Sequence, residues 1–308
     1  MRLASHPFTL RQLQYAVAVA ETLSFRKAAE RCAVSQPALS SQLAQLEDAL
    51  GVKLFERGAK RVLVTAPGAE LLERCRRILV EADDLYGAAQ QLAEPLSGNL
   101  RLGVIPTIAP YLLPVAAPLL RKRFPRLRLA WREDKTADLM SALRAGALEG
   151  AVVALEAELG EVEQLVLAKD PFVLAAPRGH PLSEGPGPLP LSALAKEDVL
   201  LLDEGHCFRA QALAFCNRAR AHELEFRATS LGTLAQMVAG GAGVTLLPEL
   251  SVPTESKRAS VVIRSLAAPV PSRTLALVWR KRSPLAASLR ALGAVLREAY
   301  PKVAGRRG

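Results

Sequence analysis

The sequence predicts an α/β protein in three parts: an N-terminal winged helix-turn-helix, a long linker helix, and a two-lobed α/β domain. Three observations predict it. Short apolar helical patterns separated by a tight turn open the chain and lead into a basic, glycine-centred hairpin. Apolar residues then recur at three and four spacing from Pro67 to about Ala93. After that, strand-like and helix-like segments alternate. The expected division is 1–65, 66–97 and 98–308, the last split into lobe I (98–168 with 268–300) and lobe II (169–267). At 308 residues, the chain exceeds what one hydrophobic core usually supports, and 50% hydrophobic with 23% charged residues is an ordinary globular composition.

From Leu10, the residues Leu13, Val17 and Ala20, with Tyr15 and Ala16 beside them, predict a first helix ending near Glu21. Ser24 suits the N-cap of a second helix in SFRKAAERCAV, where small Ala28 and Ala29 let a neighbour approach closely. Ser35 caps a third, SQPALSSQLAQLEDALG, with Pro37 in its first turn and Leu39, Leu43, Leu46 and Leu50 as its apolar stripe. The opposite face offers Gln36, Pro37, Ser40, Ser41 and Gln45. In a helix-turn-helix this second member enters the major groove, where Gln reads adenine edges and Ser reaches bases or phosphates. LFERGAKRVLVT reads as the wing, with Gly58 at its turn and Arg57, Lys60 and Arg61 directed at the phosphate backbone. A net charge of +10 favours a polyanionic partner, and residues 1–65 hold nine Lys and Arg against five Asp and Glu. The plainer reading is a set of packed helices with solvated polar faces.

The run FRKAAERCAVSQPALSSQLAQLEDALGVKLFER, continued by TAPGAELL, resembles the N-terminal domain of LysR-type transcriptional regulators. The resemblance implies that Ser35, Gln36, Pro37, Ser40, Ser41, Gln45, Arg57, Lys60 and Arg61 meet double-stranded promoter DNA. In the next segment, Leu71, Leu72, Cys75, Ile78, Leu79, Ala82, Leu85 and Ala89 form a stripe too long for an isolated globular helix, so a partner helix is expected. The resemblance implies an antiparallel pairing of this linker helix in a homodimer, commonly assembled into a homotetramer, with RNA polymerase as a further partner. Cys75 on the stripe and Cys32 inside the second helix read as small buried hydrophobes.

Beyond LSGN, the chain reads LRLGVI as strand, APYLLPVAAPLLRKRF as helix, LRLAWRE as strand, TADLMSALRAG as helix and AVVAL as strand. Such β-α-β repeats predict parallel sheets with right-handed crossovers. A second lobe follows from about Lys169, and RTLALVWRK and the helix LAASLRALGAVLREAY close the chain. The LysR resemblance extends to this part and implies a periplasmic-binding-protein-like effector domain. In open α/β sheets, ligand chemistry gathers at the carboxyl ends of strands, where Thr107 stands. GGAG at 240–243 lies between a helix and the strand VTLLP, so it reads as a tight turn rather than a phosphate loop.

The segment LLDEGHCFRAQALAFC carries two of the four cysteines. DVLLLD reads as strand, Gly205 as the break, and FRAQALAFCNRAR as a helix whose apolar face holds Phe208, Ala212, Phe215 and Cys216. Nine residues of intact helix turn about 900° and rise about 13 Å, so Cys207 and Cys216 lie on opposite faces. A disulfide needs Cα atoms within about 7 Å, so this pair bridges only if part of the segment unwinds. Cys207 stands at a helix N-terminus, which favours a thiolate, with His206 beside it and Arg209 nearby in sequence. A peroxide-oxidised thiolate condenses with a second thiol, and Cys216 is available for that role. On spacing alone, two unrelated structural cysteines are the commoner arrangement, with Cys216 a core residue and Cys207 a small helix-start residue.

GHCFRAQALAFC, with IPTIAPYLLP before it and FRATSLGTLAQMVAGGAGVTLLP after it, resembles the OxyR branch of the LysR family, the peroxide-sensing activators. The likeness covers nearly the whole chain. It implies that hydrogen peroxide is the signal, that Cys207 is the peroxidatic cysteine and Cys216 its resolving partner, that Thr107 and Thr136 position peroxide, and that His206 and Arg273 lie near the reacting sulfur. Plainer readings stand beside these: Thr107 as a helix cap, Thr136 as a helix start, His206 as a hydrogen-bonded turn residue, Arg273 as the partner of a carboxylate at a strand end. The branch commonly carries Asp three residues after the sensing cysteine, whereas this chain has Ala210, so that carboxylate's role is absent or supplied elsewhere.

Other classes find little footing. No GxSxG or P-loop motif occurs, His6, His180, His206 and His222 show no ligand spacing, and no cofactor is expected. No stretch reaches the ~20 apolar residues of a membrane span and the N-terminus lacks a signal-peptide pattern, so a cytoplasmic, non-enzymatic regulator is expected. Two rivals remain: a LysR-type regulator sensing a metabolite between the lobes, and a thiol peroxidase.

Overall fold

In the computed structural model, residues 6–57, 62–93, 96–195 and 197–303 are described, and they form two compact units, Met1–Gly87 and Ala88–Gly308. In the first unit, Thr9 and Gln12 cap α1 (Leu10–Thr22) reciprocally, while Ser24 caps α2 (Phe25–Arg31) and Ser35 caps α3 (Gln36–Leu50). Gly51 ends α3 at φ +67°, a conformation that favours glycine. Leu13, Val19, Ala28, Leu39, Leu43 and Leu46 close one core. Cys32 does not lie inside the second helix: it caps the C-terminus of α2 and is only half-buried. The wing is the antiparallel pair β1 (Phe55–Arg57) and β2 (Val62–Val64).

The linker helix α4 (Ala66–Ala93) opens at Thr65, whose hydroxyl accepts from the Gly68 amide at 2.9 Å and donates to the Lys53 carbonyl at 2.7 Å. Gly68 lets the helix start lie against the chain at Leu54, because a Cβ there would stand 2.4 Å from the Leu54 carbonyl oxygen. Gly68→Ala is therefore expected to lower the stability of the N-terminal unit by about 1–3 kcal/mol, the usual cost of overpacking, read as an earlier urea midpoint by circular dichroism. An unchanged midpoint would show that this contact relaxes freely. Further along α4, Leu72, Cys75 and Val80 are buried, whereas Ile78 and Leu85 are 42% and 75% exposed.

The second unit alternates as expected through β3 (Gly98–Val104), α5 (Ala109–Arg123), β4 (Leu127–Glu133), α6 (Thr136–Arg144) and β5 (Gly150–Ala154). β6 (Val162–Ala176) then runs for 15 residues. The remaining strands and α-helices are β7 (Asp198–Leu202), α7 (Cys207–Ala219), β8 (His222–Ala228), α8 (Leu231–Ala239), β9 (Thr245–Pro248), α9 (Val252–Ala259), β10 (Val262–Arg264), β11 (Ser272–Arg280) and α10 (Ala286–Val303). The sheet order is β10-β6-β11-β5-β3-β4, with β9 beside β6, and β7 pairs with β8.

The expectation of parallel sheets needs correction. β3 is parallel to β4 and β5, and β7 to β8, but β11 runs antiparallel to both β5 and β6, and β9 and β10 antiparallel to β6. The physical reason is β6, which joins the two lobes as one continuous strand: its first part pairs with β11, its last part with β9 and β10. The turn at 240–243 is confirmed. Gly243 sits at φ +139° with no room for a Cβ, which would stand 2.4 Å from the Asp198 carbonyl oxygen.

Candidate functional site

Two groups of side chains are brought together, one in each unit. On α3, the N-cap Ser35 and the first-turn residues Gln36 and Pro37 are exposed, as are Ser41 and Gln45, while Ser40 is half-buried. Gln45 accepts a 3.4 Å bond from Gln12 of α1. Arg57 ends β1, and its side chain lies outside the described residues, as do Lys60 and Arg61. Sequence reasoning missed Glu47. This carboxylate, 4% exposed, accepts from the Leu54 and Phe55 amides at 2.8 and 3.3 Å and meets Lys53 at 3.3 Å, tying α3 to the base of the wing. An acid on the leucine face of an amphipathic helix was its only signal.

The other group is a crevice lined by Thr107, Lys135, Thr136, His206 and Cys207, with Ile105 and Pro106 closing one wall and Gly205 another. Its walls close tightly on one another. Thr107 follows β3, and Thr136 begins α6 with a buried hydroxyl that has no hydrogen-bond partner. Cys207 is the first residue of α7 and half-buried. Cys216 is on the same helix and 4% exposed, in the core. Burial, aided by the Glu223 charge, pushes its thiol up to about 11. Both cysteines are free, and the helix between them is unbroken, which separates them by about 13 Å along its axis.

Arg273 does not appear among the residues lining the crevice and reaches it through neighbours. On β11, it donates to Asp170 of β6 at 2.9 Å, to the Thr107 hydroxyl at 2.6 Å and to the Thr107 carbonyl at 3.1 Å, with both charged partners fully buried. Thr107 does not cap α5, whose N-cap is Ile108 with no side-chain bond. The Arg273 guanidinium also stands 5.6 Å from the Phe208 ring centroid, and Phe208 meets Phe172 edge-on at 4.9 Å. Arg209 is engaged by other partners: it binds the Leu202 carbonyl at 3.1 Å and Glu223 of β8 at 2.6 Å. Burial, and then the Lys135 charge, lower the pKa of His206, so its imidazole is neutral at neutral pH.

The crevice is thus a place where a helix-start thiol meets hydroxyls and a neutral imidazole, within a chain whose other unit presents a capped helix to solvent. Residues 10–69 match the description "Bacterial regulatory helix-turn-helix protein, lysR family", and residues 93–301 match "LysR substrate binding domain". The chain belongs to the LysR family. Among LysR proteins, it is 44% identical to the "Hydrogen peroxide-inducible genes activator" of Pectobacterium carotovorum subsp. carotovorum, over 94% of this chain and 96% of that one. A full-length OxyR variant from Pseudomonas aeruginosa matches at 34% identity and a TM-score of 0.77, covering 95% of this chain and 96% of the other. A hydrogen peroxide-bound mutant of Corynebacterium glutamicum OxyR matches at 33% identity and a TM-score of 0.67, covering 98% and 95%. This LysR chain is therefore an OxyR-like DNA-binding regulator. Among the described residues, no helix is long and apolar enough to cross a membrane.

Proposed function

We propose that this protein is a transcriptional activator of antioxidant genes that senses hydrogen peroxide through Cys207 and Cys216. The observation that carries the reading is the placement of Cys207 in a polar crevice at the first residue of the helix that buries Cys216 nine residues on. The Cys207 thiolate attacks one peroxide oxygen, the O–O bond breaks, and the departing hydroxide takes a proton to become water, leaving a sulfenic acid. The Cys216 sulfur then attacks the Cys207 sulfur, an S–S bond forms, the S–O bond breaks, and a second water leaves. One peroxide is consumed per pair, so the protein acts as a stoichiometric switch rather than an enzyme.

Thr107 and Thr136 position peroxide, His206 accepts or relays the proton, and Arg273 holds Thr107. Burial keeps Cys216 protonated until α7 unwinds, so the resolving step waits on the conformational one. Residues 1–65 read promoter DNA through the α3 face and the wing, residues 66–97 pair with a second copy, and 98–308 carry the switch, lobe I being 98–168 with 268–300 and lobe II 169–267. The exposed Ile78 and Leu85 on α4 support a dimer or tetramer. RNA polymerase is the downstream partner, and the cytoplasm the compartment.

Peptide mass spectrometry of the purified protein after one equivalent of hydrogen peroxide tests the reading. A Cys207–Cys216 bridge, with Cys32 and Cys75 still reduced, is the expected product. Absence of any bridge would reject it in favour of a regulator that senses a metabolite.

A further inference from the structure

Lys135 stands at the N-cap position of α6, directly before Thr136. Its ammonium donates to the Glu204 carbonyl at 2.6 Å, three residues ahead of Cys207. Its stem lies flat over Gly205, which holds φ +85°, and a Cβ there would stand 2.9 Å from the Lys135 Cδ. Among the described residues lining the crevice, Lys135 alone carries a fixed charge, since His206 is held neutral. Neighbouring charges around the turn have partners of their own: Arg227 with Asp203 and Glu204, Arg209 with Glu223, Arg132 with Asp134, Arg273 with Asp170, and Glu156 with the Thr274 amide and Gln211, while Arg218 lies exposed in the last turn of α7.

We propose that Lys135 is a positioning residue for the Cys207 reaction: by bonding Glu204 it fixes the turn that delivers the sulfur to the crevice, and its charge is the one against which the thiolate forms. The inference rests on Cys207 being the peroxide-reacting thiol. The first turn of α7 holds no acidic residue, and Ala210 offers no side-chain polar group there. The helix start is therefore secured from α6, across the crevice, instead of from within the helix. A cation near a thiol favours its ionised form, and a neutral side chain in its place withdraws that support.

The test is the pH profile of Cys207 alkylation by iodoacetamide in the full-length protein, followed on the Cys207 peptide, with Lys135→Met, Lys135→Gln and Lys135→Arg variants whose folding is checked by circular dichroism. Both neutral variants are expected to raise the alkylation midpoint by about one pH unit, the scale of one neighbouring charge, and the Arg variant to restore it. A parental midpoint in both neutral variants overturns the proposal, because a purely structural lysine would leave the profile in place. Alkylation needs no peroxide, so neutral variants that show the shift beside a parent that forms no bridge would fail the sensing reading and leave the effect of Lys135 on the Cys207 thiol intact.

Discussion

Cys207→Ser is expected to abolish the transcriptional response to hydrogen peroxide while leaving promoter binding unchanged. The substitution keeps the shape of the helix start but removes the only atom in the crevice that attacks an O–O bond, since a serine hydroxyl does not ionise near neutral pH. Cys216→Ser separates the two steps: Cys207 is still oxidised, but no second sulfur captures it, so α7 is not drawn apart and the response is again lost. Reporter transcription against peroxide dose measures both, with DNA binding assayed at one stated salt concentration because phosphate contacts weaken steeply with salt. A parental response in both variants would transfer the signal to a small molecule between the lobes. Loss of response with sustained peroxide turnover in the parent would point to a thiol peroxidase.

Asp170→Asn should cost about 3–5 kcal/mol, the usual consequence of stranding a buried charge. Asp170 and Arg273 face each other across β6 and β11, both fully buried. Asp170 also accepts from the Leu250 amide at 3.0 Å and the Tyr300 hydroxyl at 3.1 Å. Removing its charge leaves the guanidinium, with its bonds to Thr107, uncompensated in the core. Both tryptophans, Trp131 and Trp279, lie in the second unit, so urea unfolding followed by intrinsic fluorescence reads this unit. The double variant Asp170→Leu with Arg273→Met should recover much of the loss, because replacing both partners leaves no buried charge. It should also loosen Thr107 and slow Cys207 oxidation. A single variant that unfolds like the parent would mean that the pair is solvated in solution.

Much of this was legible because it is local. Capping serines, the α4 stripe and the amphipathic pattern of α7 are written within one element, and the spacing of Cys207 and Cys216 needs only the helix rise. β6 was not legible: Glu163, Lys169, Asp170 and Pro171 interrupt its apolar pattern, and only the pairing with distant strands shows why they are tolerated. Asp170 and Arg273 are 103 positions apart, and Lys135 and Glu204 are 69 apart. No local rule names such partners. Arg209 shows the converse error, since closeness in sequence to Cys207 gave it a role that its bonds to Leu202 and Glu223 withhold.

The unbroken coil between the two sulfurs also bears on how the alarm is silenced. A bridge made at the expense of ordered backbone is spring-loaded, and loaded bridges are more readily reduced than relaxed ones. On the chemistry proposed, cutting the bridge frees the segment to recoil into its helix, and that recoil drives the return. The refolding of one helix is then the force that returns the regulator to its resting state once the bridge is cut.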